Sequence, residues 1–422
     1  MKVLHLSTDD TGIGGGAFRG TYWLHKSLQG AGVNSQILVA NKYSEDPTVL
    51  GPKTVSQKLF NKLILPQLEK LPLSSYKEKD KGLFSPAWVP TNIDRQVQKI
   101  DPDIVNLHWI CRGFVTPENL QKFQKPMVWT LRDMWAFTGG CHYAQDCTKY
   151  VNTCGSCPHL KSDRESDLSR KLWQRKNKAW QNLNLTIVTI SDWLASCAGQ
   201  SSLLKNYPIE VIHNALDHTR FKPIGRPIAQ EILGFSPTQK IVLFGASNIQ
   251  DGVKGFSYFI SALQKLGQQG WGEQLHGVIF GGSQPLNPPD PGVATTYMGP
   301  IQDDIALNLI YAAADVTVMP SIQEAFGKIA MESLACGTPV VSFDSTGLKD
   351  IVEHQKNGYR AQCFSAEDLA QGIAWVLEDQ ERHQCLSKRA REKVEEEFTF
   401  EVQSRRYLKL YEQVLSRSIH KS

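Results

Sequence analysis

The sequence predicts an α/β protein built from two doubly wound, Rossmann-like domains, and three observations carry that expectation. The chain has 422 residues, 41% apolar and 21% charged, which suffices to bury two cores. Short apolar runs alternate with longer helical patterns, as parallel strands joined by crossover helices require. The alternation breaks near residue 210, at a stretch of turn formers ending in Pro223, and then restarts.

Taken in order, residues 3–7, 36–39, 104–108, 127–131 and 185–190 read as buried strands of the first domain, with residues 17–30 as its first helix. Residues 240–244, 276–280, 316–320 and 339–343 form the second set. We expect a first domain over 1–207, a second over 208–395, and a helical tail over 396–422 that returns to the first domain; residues 392–416 read as helix with charges on one face.

The composition excludes several classes. A net charge of +4 over this length, without a recognition motif, argues against nucleic acid as a partner. No stretch approaches the ~20 apolar residues of a membrane span, and the N-terminus enters a strand pattern directly, so the cytoplasm is the expected location. Residues 53–81 interleave Lys53, Lys58, Lys62 and Lys70 with Leu59, Phe60, Leu63, Ile64 and Leu71. That pattern fits a surface helix that covers the first domain, the commoner role of an amphipathic stretch, and also a peripheral contact with the inner face of a membrane.

The richest stretch runs from residue 316 to 343. A buried strand ends, a loop carries Glu324, a helix is expected to start near Phe326, and Gly337 stops it before Pro339 opens the next strand. The helix start brings the backbone N–H groups of Phe326, Gly327 and Lys328 together at the positive end of its dipole, which suits a diphosphate. Glu332, further along that helix, suits the vicinal hydroxyls of a ribose, and Glu324 those of a sugar beyond the diphosphate.

Glu324-Ala-Phe-Gly, Glu332 and the following Ala335-Cys-Gly-Thr-Pro-Val-Val resemble the Glu-x7-Glu motif of glycosyltransferase family four. Asn214 to Phe221-Lys-Pro is similar to that family's interdomain linker, Lys254-Gly255 to its donor-phosphate lysine, and Ser345-Thr-Gly347 to Val352 with Asn357-Gly358 to the loop behind the donor. The resemblance implies the GT-B fold, two Rossmann-like domains facing a central cleft. It also implies a retaining, metal-independent hexosyltransferase that uses a nucleoside-diphosphate sugar and needs no cofactor for catalysis. Its catalytic residues would include Glu324 and Lys254; Arg132, which stands where the family pattern has another residue, and His108, by its place at a strand's carboxyl edge, join them as candidates. Its donor-binding residues would be Gly15, Gly16, Phe326, Gly327, Lys328 and Glu332.

Two positions depart from that pattern. No arginine precedes Lys254 at the strand end Phe244-Gly-Ala-Ser247, and Thr130-Leu-Arg132-Asp133 has arginine where the family usually places histidine. Arg132 cannot give up a proton, so it positions groups or balances charge. His108, at the carboxyl edge of a strand, reads as a ligand-facing residue or a core histidine. The run Asp9-Asp-Thr-Gly-Ile-Gly-Gly15-Gly16 leaves backbone amides for an anion, or is a flexible turn. A nicotinamide-binding site would want an acid at the end of the second strand, which here ends Leu38-Val-Ala-Asn41.

Four of the nine cysteines, Cys141, Cys147, Cys154 and Cys157, fall within one turn-rich loop. A structural tetrathiolate zinc, unliganded or disulfide-linked thiols, and an iron–sulfur cluster all fit that spacing, with ligand preference favouring zinc. The surrounding residues 133–143 resemble a family-four subgroup of bacterial surface polysaccharide assembly, which implies a glycan or lipid-linked acceptor. The competing readings are a catalytically silent nucleotide-sugar binder and an NAD-linked oxidoreductase.

Overall fold

The structure is a computed structural model that describes residues 1–10, 16–246, 248–301 and 303–419. It divides into two compact units, Met1–Asn214 with Gln403–Ser422, and Ala215–Val402.

The first unit is a seven-stranded sheet of β1 (Lys2–Asp9), β2 (Asn34–Asn41), β3 (Val49–Leu50), β4 (Ile104–Leu107), β5 (Met127–Leu131), β6 (Leu185–Thr189) and β7 (Ile209–Val211), ordered β3-β2-β1-β4-β5-β6-β7. Every pairing is parallel. Strands covered on both faces read as continuous apolar runs, and β4 and β5 are buried at every residue. The order reverses direction between β1 and β4, and ligands of such sheets bind beyond the carboxyl ends of the strands at that switch point.

The chain terminus completes this unit. Tyr407, Leu410, Tyr411 and Val414 pack with Val3, Leu24, Ile104, Val128 and Val188. Asn106 of β4 donates to the Tyr411 hydroxyl at 2.7 Å, and the hydroxyls of Thr130 and Tyr407 meet at 2.9 Å. The stretch expected as one helix over 392–416 is two, Gln380–Glu397 and Phe400–Ile419. The break has a cause: Phe398 is fully buried and its carbonyl accepts the Leu216 N–H at 3.0 Å, while Thr399 Oγ1 caps the next helix by accepting the Val402 N–H at 3.3 Å.

The second unit is a six-stranded parallel sheet of β8 (Lys240–Gly245), β9 (Leu275–Phe280), β10 (Ala294–Gly299), β11 (Val316–Met319), β12 (Val340–Phe343) and β13 (Gly358–Ala361), ordered β10-β9-β8-β11-β12-β13. Its core gathers Val242, Phe244, Phe259, Leu263, Val318 and Val341.

Strands β3, β7, β10 and β13 were not expected from the sequence. All four stand at or next to a sheet edge, where the apolar pattern is short or weak; β10 reads Ala-Thr-Thr-Tyr-Met-Gly with no residue fully covered. The basic stretch 53–81 is a chain of short helical pieces from Val55 to Ser75. Leu65 and Leu73 are buried, but Val55, Leu59, Leu63 and Ile64 are each at least half exposed. The segment therefore spends only some of its apolar residues, Leu65 and Leu73 among them, on the unit beneath it. Among the described residues, no helix is long and apolar enough to cross a membrane.

Candidate functional site

In the second unit the carboxyl ends of β8 and β11 bring Lys254, Glu324, Lys328 and Glu332 into one region. Lys254 sits on a short turn after β8, and Gly255, which follows it, adopts φ +71. A side chain there would put its Cβ 1.9 Å from the Pro320 carbonyl oxygen, so only glycine lets this turn lie against the end of β11. The Ile322 N–H donates to the Val253 carbonyl at 2.8 Å and closes the contact. Lys254 Nζ then reaches Glu324 Oε2 at 2.7 Å. The Glu324 carboxylate, acting against the cost of burial, holds the Lys254 ammonium above its usual range.

The helix after Glu324 is Lys328–Ala335, so it begins two residues later than the sequence suggested. Gly327 precedes it at φ +122, a conformation closed to other residues, and this delays the first helical turn. The Phe326 ring turns inward against Phe398, with ring centroids 5.5 Å apart. Glu332 is 1% exposed. Its Oε2 accepts the Tyr311 hydroxyl at 3.0 Å. Its Oε1 lies 2.9 Å from Lys328 Nζ, an ion-pair contact whose geometry falls short of a hydrogen bond. The loop behind is held by the Glu324 N–H donating to Thr346 Oγ1 at 3.0 Å and the Gly347 N–H donating to the Glu324 carbonyl at 2.9 Å.

The first unit gathers a different set at the switch point. His5 Nδ1 and His108 Nε2 share a hydrogen bond at 2.9 Å, and both rings are fully or almost fully buried. Burial, then the neighbouring His25 for His5 and His5 for His108, and in both cases Arg132, keep these imidazoles neutral well below their ordinary range. Arg132 Nη1 donates to Asn214 Oδ1 at 2.6 Å. Asp133 is fully committed elsewhere. It accepts from Trp109 Nε1 at 2.7 Å and the Trp135 N–H at 2.9 Å, and meets His142 Nδ1 at 2.6 Å, while His142 Nε2 meets Ser85 Oγ at 2.9 Å. Burial alone would raise the Asp133 carboxyl; His142 and these donors bring it below its usual range. Gly16 opens the helix Gly16–Gly30, and Gly15 lies outside the described residues.

Cys141, Cys147, Cys154 and Cys157 line one cavity with Phe84, Gly139 and Ser169. The Gly139 N–H points at Cys154 Sγ, 3.1 Å away. Fully buried Lys176 donates to the carbonyls of Trp135 and Thr138, and its ammonium stands 3.6 Å from the Trp135 ring centroid. Among the described residues, no three His, Cys, Asp or Glu side chains are placed as a ready metal site.

Sequence reading did not join Tyr311 to Glu332, Asn214 to Arg132 or Ser85 to His142, which lie 21, 82 and 57 positions apart, so no spacing signals them. Thr346, Asn214 and His142 fall within stretches that carry the family resemblance, but a resemblance does not name their side-chain partners.

The two parallel-sheet units are those of the GT-B glycosyltransferase fold. Sucrose-phosphate synthase from Thermosynechococcus elongatus superposes with a TM-score of 0.71 at 19% identity, covering 99% of this chain and all of that one. HepE from Anabaena, solved with UDP and glucose, gives 0.63 at 16% identity over 98% and 100% of the two chains. More specifically, residues 226–393, all within the second unit, match the family model of glycosyl transferases group 1. The D-inositol 3-phosphate glycosyltransferase of Nocardia farcinica is 31% identical over 194 residues, 43% of this chain and 42% of that protein. The chain spans less than half the length of the first curated relatives it matches.

Proposed function

We propose that this protein is a retaining glycosyltransferase that moves a sugar from a nucleoside-diphosphate sugar to a glycan or lipid-linked acceptor in surface polysaccharide assembly. One observation supports this above the others: Lys254, Glu324 and Glu332 converge on the start of the helix Lys328–Ala335 at the carboxyl end of β11. In this reading Glu332 exchanges its contact with Lys328 for the ribose hydroxyls, and Lys254 leaves Glu324 for the diphosphate. Glu324 is thereby freed to accept from the transferred sugar. Lys254 and the helix-start backbone do the work of a divalent cation, so transfer persists in EDTA. The HepE structure, solved with UDP and glucose, supports a nucleotide sugar as donor. The name of the Nocardia relative favours a second reading of the acceptor, a small phosphorylated polyol.

The test is mass spectrometry of purified protein incubated with a panel of nucleotide sugars, with and without polyol phosphates and lipid-linked glycans. A released nucleoside diphosphate and a glycosylated product support the proposal, and the product identifies the acceptor. Donor bound but never turned over would establish a silent binder instead.

Two accessory readings accompany it. The exposed apolar residues of 55–71 beside Lys58, Lys62 and Lys70 suit the inner face of an anionic membrane; co-sedimentation with anionic but not neutral vesicles is the expected result, and none with either rejects it. The clustered thiols suit one structural zinc, for which they would turn toward a common centre in the cavity they line. A tetrathiolate site carries net negative charge, which would offset the buried Lys176 ammonium. About one zinc per chain by metal analysis is expected; metal-free protein with nine freely reactive thiols would refute it.

A further inference from the structure

Among the arginines of this protein, three invite comparison. Arg175 presents Nε and Nη2 side by side to Glu118, at 2.8 Å each. Arg389 presents the same two nitrogens to Glu353, at 2.9 and 3.1 Å. Both are partly exposed, and both use the fork that matches a carboxylate. Arg132 is only 8% exposed, yet its Nε and Nη2 are buried with no hydrogen-bond partner among the described residues. Its Nη1 alone is held, by the neutral Asn214.

Among the described residues, no carboxylate pairs with this charge. Asp133, the adjacent carboxylate, is taken by Trp109, Trp135 and His142. The other polar groups close to Arg132 are His5, His108 and Tyr407, which are neutral at pH 7. His5 Nε2, His108 Nδ1 and the Thr189 hydroxyl at the end of β6 are themselves buried without hydrogen-bond partners among the described residues. Burying a lone guanidinium costs far more than pairing it. The side chain is also tightly placed: a Cβ on Gly20 would lie 2.5 Å from Nη1, so a glycine in the first helix makes room for it. Arg132, His108, Trp109 and Asp133 line a small pocket at the carboxyl ends of β4 and β5.

We propose that the Arg132 fork is a binding site for an anionic group on the sugar substrate, a carboxylate or a phosphate monoester, whose two oxygens take Nε and Nη2. Anion capture stands on the fork alone; assigning the anion to a sugar rests on the transferase reading above. The site demands a planar pair of donors, which lysine does not supply.

The experiment follows the Arg132 Nε–H signal of the ¹⁵N-labelled full chain by NMR, assigned through its absence in Arg132→Lys. The probes are sodium glucuronate, glucose 6-phosphate, inorganic phosphate and, as the neutral control, glucose. The Arg132 signal shifts on titration with glucuronate, with glucose 6-phosphate, or with both, and not with glucose, while the signals of Arg175 and Arg389 stay in place. A response to glucuronate alone assigns an acidic sugar; to glucose 6-phosphate alone, a phosphorylated one. Arg132→Lys weakens the responding probe by about 10- to 100-fold, as loss of a bidentate charged pair requires. Its affinity for UDP is unchanged, whereas Glu332→Ala loses UDP. That last pair separates the two readings: loss of UDP by Arg132→Lys would place the fork on the donor diphosphate and overturn the proposal, and unchanged UDP binding by Glu332→Ala would overturn the donor site alone. Should Arg132→Lys fail to fold, the wild-type titration still decides. No shift with either sugar anion, or an equal shift with inorganic phosphate as an adventitious ion, overturns it.

Discussion

The two units handle buried charge in opposite ways. In the second unit each cation of the candidate site has its own carboxylate, Lys254 with Glu324 at 2.7 Å and Lys328 with Glu332 at 2.9 Å. In the first unit Arg132 and the His5–His108 pair have no carboxylate between them among the described residues, and the histidines avoid the cost by staying neutral. On the function proposed above, the second site exchanges its internal pairs for ligand contacts. The first, on the inference drawn from Arg132, is completed by an anion from outside. A protein that binds one substrate by exchange and another by completion discriminates between them by different means: geometry of replacement in one unit, presence of a matching charge in the other.

The strongest way to probe this contrast is pH. His5, His25 and His108 all have folded-state pKa values below the ordinary 6.5, with burial as the first cause, and His25 lies at about 4. Below pH 6.5 the unfolded chain takes up protons that the folded one refuses, so stability is full above that pH and falls as the medium is acidified toward the folded values. Each histidine contributes a slope of about 1.4 kcal/mol per pH unit. Glu69 works against them. Burial raises its folded pKa to about 7 despite N–H bonds from Ala87, Val89 and Trp88, so its term is full below 4.5 and is lost as pH rises to about 7. Three histidines outweigh one glutamate. Urea unfolding of the first unit, followed through its tryptophans, should show midpoints that drop from pH 6.5 to 5, and His5→Gln with His108→Gln should flatten that drop. A midpoint independent of pH across this window would mean that the imidazoles are reachable by solvent.

The next effect is in the second unit. Gly255→Ala places a methyl group 1.9 Å from the Pro320 oxygen at φ +71, and the combination of clash and left-handed strain should cost about 3 kcal/mol or more. Because the Lys254 turn is pinned there, donor affinity should fall along with stability. Full donor affinity in a folded Gly255→Ala protein would mean that this turn lies outside the site.

Glu332→Ala comes third. It removes the acceptor of the Tyr311 hydroxyl and, on the reading above, of the ribose; loss of a charge-assisted pair of hydrogen bonds should weaken nucleotide-sugar binding by about 1.5–3 kcal/mol in calorimetry. Tyr311→Phe, which leaves the carboxylate in place, should bind the donor nearly normally. Equal losses in the two variants would assign Glu332 to packing around Tyr311 rather than to ligand.

How much of this was legible in the sequence also divides along the two units. The Glu324–Glu332 segment, Lys254-Gly255 and the turn at Gly347 are local patterns that residue order carries directly, although Lys254 meets Glu324 across 70 positions. The start of the helix was misplaced by two residues because Gly327 takes a conformation that no periodicity reveals. In the first unit, by contrast, His5, His108, Arg132 and Asn214 come from β1, the end of β4, the end of β5 and the segment after β7, and only the parallel order of the sheet brings them together. The sequence placed His108 and Arg132 at strand ends but had no means of pairing the one with His5 or of finding Asn214 for the other. Edge strand β13 was read as part of a loop because Gly358 and Asn357 are turn formers. A Cβ at 358 would lie 2.0 Å from the Val340 oxygen, so that glycine serves close strand pairing rather than a turn.

The smallest effect is the most direct test of exchange in the second unit. Lys254 and Glu324 are each partly exposed, 28% and 15% in their side chains, so their pairing should be worth only about 1 kcal/mol to stability once solvent screening is allowed for. A double-mutant cycle with Lys254→Met and Glu324→Gln should give a coupling of that size in the ligand-free protein. If the pair opens on donor binding, as the exchange model requires, the same cycle repeated on donor affinity should report a coupling of the opposite sign, because each residue then serves the ligand and no longer the other. Lys254→Met should weaken the donor through the diphosphate, while Glu324→Gln, by releasing Lys254, should leave nucleotide affinity the same or tighter and lower turnover. The two signs follow from one geometry, a lysine shared between a carboxylate and a diphosphate, and they separate it from a fixed structural ion pair. In a fixed pair both substitutions loosen the same turn, both weaken the donor, and the coupling keeps its sign.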